Sequence, residues 1–204
     1  GDLMDDFHDD DLLVRFVEHI GLVKADEITL LLNGDTFDFL KMDYQGKYPR
    51  YITEEISLWK MEQVLGKHPQ VFAALRNFLQ LGNTKLVFVI GNHDPDLIWP
   101  TVQQKLREVL SNDSRVIFTH GFNEEHFHVQ HGNLIDPLFG FNHEVPILSY
   151  RGQKILNLPV GAHMSAQFMM GFKTKFRQQE AMYPQREVIK KYPEYKKAIR
   201  RATL

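Results

Sequence analysis

The chain has 204 residues, of which 43% are hydrophobic and 25% charged, as in a globular protein long enough to bury a core, and one domain is the first expectation. It contains no Cys, which excludes a disulfide framework and a thiolate metal site, so any metal would have oxygen and imidazole ligands. No apolar run approaches the roughly 20 residues that span a bilayer, and the acidic start GDLMDDFHDDD is unlike a basic signal peptide, which together predict a cytoplasmic, soluble protein.

The net charge of -2 conceals an uneven distribution. Residues 1 to 150 contain 12 Lys and Arg against 23 Asp and Glu, a charge of -11, whereas residues 151 to 204 contain 12 against 3, a charge of +9. A basic segment of this kind binds an anionic substrate, a membrane surface or nucleic acid, or pairs with carboxylates of its own protein. Two interpretations of this segment remain possible: it contacts a membrane peripherally, or it is a helical face exposed to solvent.

Helices and strands alternate along the chain. Helical spacing of apolar residues and caps predict the helices, and short apolar or alternating runs predict the strands. The predicted order is helix 9–20, strand 28–33, helices 54–66 and 68–82, strand 86–90, helix 96–110 and strands 115–119 and 126–130. This alternation predicts an α/β fold with sites beyond the carboxyl ends of the strands.

The composition changes after about residue 140, where Met, Phe and basic residues become frequent. This change predicts a core of residues 1–140 followed by a helical basic insertion or cap of residues 141–204. The run from Met164 to Phe176 is most simply the packed face of that cap, and a groove for an acyl chain is the alternative.

Three polar clusters follow predicted strands: NGDTFD at 33–38, GNHDPD at 91–96 and QHGNLID at 130–136. Asn-Gly-Asp alone is typical of an ordinary tight turn. A turn has no structural need, however, for His and Asp directly after Gly91 and Asn92. Taken together, the clusters predict metal-competent side chains converging on one edge of the fold.

In order and spacing, these clusters resemble the motif blocks of the calcineurin-like metallophosphoesterases: D-x-H, G-D-x-x-D, G-N-H-D/E, a His before Gly, and G-H-x-H. G-D-x-x-D occurs at 34–38, G-N-H-D at 91–94 and the fourth block at His131-Gly132. The resemblance covers roughly residues 1 to 140 and is closest to the UDP-2,3-diacylglucosamine hydrolase-like branch. It implies a sandwich of mixed β-sheets flanked by helices.

The resemblance also implies a binuclear site. Asp35 would bridge two divalent metal ions, with manganese first and iron or zinc as alternatives, while Asn92 and His131 would ligate the second ion. His93 would stabilise phosphoryl charge or protonate the leaving oxygen, with Asp94 orienting its ring. The implied activity is hydrolysis of a phosphoester or pyrophosphate bond by a metal-bridging hydroxide, on a phosphorylated small-molecule or lipid-linked substrate.

Other polar residues of these regions are predicted to have lesser roles. Asp38 and Asp136 are interpreted as loop caps or as partners of ligands rather than ligands. His126 and His128 are interpreted as exposed or hydrogen-bonded structural residues, and His120 ranks well below His131.

The first and last blocks of the family have no clear counterpart in the chain. Asp6-Phe7-His8 has the D-x-H spelling but follows no buried strand, and no G-H-x-H precedes Leu204. We therefore expect a fragment of a longer enzyme, with D-x-H before Gly1 and G-H-x-H after Leu204. Because a binuclear site needs both ions, this chain alone is expected to be weakly active or inactive.

Two other functions remain open. A nuclease of the same fold would use the basic segment to bind a phosphate backbone, and binding that weakens steeply with salt would support it. A non-catalytic interaction module would have kept the fold and lost the metals. His93 argues against such a module, because a scaffold needs no imidazole beside Asn92.

Overall fold

The computed structural model describes residues 7–166, 170, 175–176, 182–184 and 186–202, and within them it is a mixed α/β fold, as predicted. The helices are α1 (Asp10–Ile20), α2 (Glu54–Lys67), α3 (Pro69–Gln80), α4 (Pro100–Val109), α5 (Val160–Met164), α6 (Arg186–Lys191) and α7 (Tyr195–Ala202). The strands are β1 (Ile28–Asn33), β2 (Thr84–Val89), β3 (Val116–Thr119), β4 (Phe122–Glu124), β5 (Phe127–Val129), β6 (Ile147–Tyr150) and β7 (Gln153–Leu156).

A parallel sheet of order β1-β2-β3 forms the centre of the fold. Its middle strand has the apolar sequence TKLVFV, and Leu86, Val87, Phe88 and Val89 are at most 1% exposed, as expected of a strand covered on both faces. The carboxyl ends of all three strands meet at one edge, since Val89 pairs with residues at the ends of both neighbours. The loops after β1 and β2 therefore start side by side.

Helices cover this sheet with apolar faces. Helix α1 packs against α3, and α2 packs against α4. The largest contribution comes from α3, whose PQVFAALRNFLQ sequence buries six side chains at helical spacing. Each fully buried Leu or Phe contributes about 1.5 to 3 kcal/mol to folding, so this face holds α3 firmly against the sheet.

The predicted helix at 96–110 is wrong at its start. Pro95–Ile98 form a 3-10 helix, Trp99 has extended backbone angles of φ -68° and ψ 123°, and α4 begins only at Pro100. The reason is steric, because a residue before proline is disfavoured in the helical region, whereas proline is favoured at the first helical position. The GNHD cluster is thereby followed by a separate short turn.

Two antiparallel hairpins lie outside the parallel sheet, β4-β5 and β6-β7. The prediction of a half-buried strand at 126–130 is wrong about burial, since Phe127 is 55% exposed. Hairpin β6-β7 falls in the segment predicted to be helical, so that prediction is wrong for residues 147–156. Its two-residue turn has positive φ at Arg151 and Gly152, the geometry that matches strand twist.

The rest of the 141–204 segment agrees only in part with a packed helical cap. Met170 and Phe176 are buried, but Met164 is 56% exposed, and the other residues between 167 and 174 lie outside the described ones. The division at residue 140 therefore stays a prediction.

Asp6, part of the D-x-H spelling at the start of the chain, also lies outside the described residues. Across the described ranges, no helix combines the length and apolar character needed to span a bilayer.

Candidate functional site

The loop after β1 has an unusual backbone. Gly34, Asp35 and Asp38 all have positive φ, at 78°, 52° and 45°. For a residue with a Cβ atom this conformation costs roughly 1 to 2 kcal/mol, so contacts elsewhere must hold the two aspartates in place. Those contacts are made with the loop after β2 and with the segment that follows β5.

The Asp35 carboxylate joins these segments. Its Oδ1 accepts a hydrogen bond from the His93 backbone N–H at 2.9 Å, and its Oδ2 lies 3.2 Å from His131 Nε2. The carboxylate packs directly on Gly91, where an added Cβ would come within 2.3 Å of Oδ1. Only glycine at this position allows the two loops to approach so closely.

His131 reaches Asp35 as predicted, but by a different route. It follows β5, which belongs to a separate hairpin rather than to the parallel sheet. Its Nδ1 lies 2.8 Å from the carbonyl oxygen of Asn33, and since a carbonyl only accepts, Nδ1 carries a proton. In a neutral imidazole, Nε2 then has a lone pair that faces a carboxylate oxygen of Asp35. Two acceptors at this distance need a proton or a cation between them.

Asp94 does not orient the ring of His93, so that prediction is wrong. Its carboxylate is fully buried, and it accepts hydrogen bonds from the backbone N–H groups of Thr36 at 2.8 Å and Gly91 at 2.5 Å. Burial raises the pKa of Asp94 to about 6, although the hydrogen bonds from Thr36 and Gly91 oppose this. Asp94 instead fixes the loop after β1 to the loop after β2.

The partner of the His93 ring is Asp38. His93 Nδ1 lies 2.5 Å from Asp38 Oδ1, and Lys41 Nζ lies 2.6 Å from Asp38 Oδ2. The hydrogen bond to Asp38 raises the pKa of His93, against the opposing effect of burial. Burial alone would raise the pKa of Asp38, but hydrogen bonds from His93 and Lys41 outweigh it and leave that pKa below its usual value. Asp38 is thus a partner of a site residue, as interpreted.

The stability of the protein should depend on pH through this pair. Asp38 has a lowered pKa, so its contribution is present above the unfolded value of about 3.9 and is lost as pH falls through the folded pKa. His93 has a raised pKa, so its contribution is full below about 6.5 and is lost as pH rises through the folded pKa. Urea unfolding of the wild type and Asp38→Asn should differ most between about pH 4 and 6.5. A difference that is independent of pH would contradict the assignment.

A cleft of about 300 Å³ adjoins the loop after β2. This volume is at the lower end for small-molecule sites. Asp136 caps the loop beside the cleft, as interpreted, because its Oδ1 accepts from the backbone N–H groups of Leu138 and Phe139. The cleft is lined by Asn92, His93, Gly132, Asn133, Asp136, Phe139 and Ser165.

The other histidines singled out from the sequence have different surroundings. His126 is largely exposed, and His128 Nδ1 lies 2.6 Å from Asn123 Oδ1, so the two are exposed and hydrogen-bonded as interpreted. His120 follows β3 and lies beside Phe141 and His143, with ring centroids 6.4 and 5.7 Å away. Burial lowers the pKa of His120, and the neighbouring His143 lowers it further through charge repulsion.

Sequence reasoning missed Lys60 and Asp96. Lys60 is 1% exposed, and its Nζ donates to the carbonyl oxygen of Phe39 at 2.9 Å and lies 3.8 Å from Asp96 Oδ1. Burial lowers the pKa of Lys60, while the charge of Asp96 opposes this. A signal was present in α2, because Lys60 lies four residues from both Ile56 and Val64 on one apolar stripe.

The donor set for a metal ion is small in the part of the chain that the structure describes. There, no three or more His, Asp or Glu side chains form a group able to hold an ion. Asp35 and His131 form a pair, and Asn92 lines the adjacent cleft.

Comparison with known proteins assigns no family to the chain. No protein-family model matches it, and neither the search of curated proteins nor the search of solved structures found a match.

Proposed function

We propose that this chain carries the site of a divalent-metal-dependent hydrolase of phosphoester or pyrophosphate bonds, of the calcineurin-like metallophosphoesterase type that its motifs resemble. The observation that supports the proposal is the contact between Asp35 Oδ2 and His131 Nε2 at 3.2 Å. With Nδ1 of His131 donating to Asn33, both facing atoms are acceptors when the imidazole is neutral, and a divalent cation between them would then satisfy both, as a proton on Nε2 would in the metal-free chain.

The residues present fit one such ion better than two. Asp35, His131 and the amide oxygen of Asn92 would hold it, a set of oxygen and nitrogen ligands suited to manganese, iron or zinc. The hydrogen bond from His131 Nδ1 to the Asn33 carbonyl is the kind of outer contact that fixes a ligand ring. For a second ion, no further group of three His, Asp or Glu side chains is present among the described residues.

When bound, divalent ions at such a site lower the pKa of water and neutralise phosphoryl charge. The chain's own contribution would be to position the substrate. His93 lines the cleft, and its pKa is raised by Asp38, so the ring would hold a proton to higher pH and donate it to a phosphoryl or leaving oxygen. Asp38 would orient the ring, and Asp94 would hold the loops together. The cleft volume suits a phosphorylated small molecule.

Manganese binding tests the proposal directly. The wild-type chain should bind Mn²⁺ in titration calorimetry, and Asp35→Asn and His131→Ala should each weaken binding by at least about 100-fold, since they remove ligands rather than their neighbours. His128→Ala is the matched control. It removes an exposed histidine from hairpin β4-β5, which directly precedes His131, and should bind Mn²⁺ as the wild type does.

Hydrolysis of bis(p-nitrophenyl) phosphate provides the second measurement. Any activity should require Mn²⁺ and disappear in Asp35→Asn. Activity that survives Asp35→Asn, or a wild-type chain that binds no divalent ion, would contradict the proposal, and the second result would favour a non-catalytic interaction module.

A further inference from the structure

A buried ion pair connects helix α2 to the 3-10 helix Pro95–Ile98. Lys60 and Asp96 are at most 1% exposed, and Lys60 Nζ lies 3.8 Å from Asp96 Oδ1. Neither carboxylate oxygen of Asp96 has a hydrogen-bond partner among the described residues, and the same is true of Ser57 Oγ and Trp99 Nε1. These buried polar groups have therefore lost hydrogen bonds to water without gaining equivalent hydrogen bonds within the protein.

Stability alone does not account for such a pair. Removing two charges from water costs several kcal/mol each, and well-packed apolar residues of similar volume are often as stable or more stable. The rest of the α2 surface shows that apolar packing is available here, since Met61 is fully buried. The contacts of Lys60 point to a role in placing other residues.

What the pair connects are the two loops of the candidate site. Lys60 Nζ also donates to the carbonyl oxygen of Phe39, which directly follows Asp38. Asp96 lies two residues after Asp94, on the loop that carries His93. The same loops are also joined directly, by the contacts of Asp94 and Asp38 given above and by a hydrogen bond of 3.3 Å from the Leu40 N–H to the His93 carbonyl oxygen. Lys60 thus contacts both loops from a rigid helix.

We propose that Lys60 is a positioning residue: through the Phe39 carbonyl and Asp96 it holds the two loops at the separation at which Asp38 contacts His93. Its effect on turnover rests on the proposed function, whereas its effect on loop geometry does not. Its hydrogen bond and its ion pair are with Phe39 and Asp96, neither of which lines the cleft, so Lys60 acts through the loops rather than on a bound substrate.

Amide hydrogen exchange measured by NMR separates this role from a merely structural one. The amides of Leu40 and His93 bond across the two loops, and the Phe88 amide in β2 reports the core. The variant to use is Lys60→Met/Asp96→Leu, which leaves no unpaired buried charge and should keep the global fold. Its Leu40 and His93 amides should lose at least about 10-fold in protection relative to Phe88, as expected for loss of a hydrogen bond to a charged group.

The matched control is Leu79→Ala in α3, which removes buried apolar volume without touching either loop. It should lower the protection of Phe88 without lowering that of Leu40 and His93 relative to Phe88, because loop amides exchange through local opening. If Lys60→Met/Asp96→Leu also fails to lower the protection of Leu40 and His93 relative to Phe88, the inference is wrong, whatever the activity of the variant.

Kinetics then test the catalytic consequence. If the wild type hydrolyses a phosphodiester, Lys60→Met/Asp96→Leu should lower kcat at least about 10-fold with little change in KM, because the ring of His93 is misplaced while the cleft remains. An altered exchange ratio with unchanged kcat would overturn this part. If the wild type binds no Mn²⁺, the proposed function fails, and the exchange ratio still decides whether Lys60 positions the loops.

Discussion

Replacing Gly34 by Ala is expected to separate His131 from Asp35 and to weaken binding of a divalent ion at least about 10-fold, the loss typical of a misplaced ligand. A Cβ at position 34 would lie 2.3 to 2.7 Å from atoms of the His131 side chain, distances at which the ring must move. The φ of 78° adds a backbone cost of roughly 1 to 2 kcal/mol. Urea unfolding and Mn²⁺ titration of the same variant measure the two effects.

The control for Gly34→Ala is Gly82→Ala. Gly82 has a φ of 86°, and no atom lies within 4 Å of the Cβ that the substitution would add. It should therefore show the backbone cost alone and bind Mn²⁺ as the wild type does. Equal Mn²⁺ affinity in the two variants would show that the ring of His131 does not need its present place against Gly34.

The second large effect is expected for Lys60→Met, which should lower the free energy of unfolding by about 3 to 5 kcal/mol. The substitution leaves Asp96 buried without a counter-charge and the Phe39 carbonyl without its donor. Urea unfolding at neutral pH measures the loss.

A double-mutant cycle with Asp96→Leu isolates the charge effect. Lys60→Met/Asp96→Leu should recover most of the lost stability, because it removes both buried charges together. Additive losses in the double variant would show that the two side chains are not an energetically coupled pair.

The strands of the central sheet and the helices that cover it could be predicted from the sequence because their signals are local and strong. LVFVI is apolar without interruption, and α3 has Pro69 at its start. The interruption of the helix before α4 was missed. Pro100 disfavours a helical residue before it, but the helical spacing of the residues that follow was given more weight than this steric effect. Hairpin β6-β7 was missed because its strands are only four residues each, and their flanks suggested helix.

The sequence predicted which residues come together at the candidate site, but not all of the contacts between them. Asp35 and His131 follow strands, and they do meet. The partner of His93 was assigned to Asp94, its neighbour in sequence, yet adjacent residues of a tight loop point in different directions, and Asp94 points into the core. Asp38 reaches the ring from another loop, which no local pattern reveals. Lys60 was overlooked because lysine is rarely buried.

The register of the parallel sheet has a consequence for how the protein folds. Ile28 pairs with Thr84 and Leu86 with Val116, so each strand must wait for a distant part of the chain before it gains a partner. Such non-local pairing is slow, since loop-closure entropy is lost before contacts compensate for it. The contact between Asp35 and His93 depends on the pairing of β1 with β2, whereas the contact between Asp35 and His131 also requires that residue 131 has left the ribosome. Helices α2 and α3 can form earlier, whereas the contact between Asp35 and His131 must wait for the segment that follows β5.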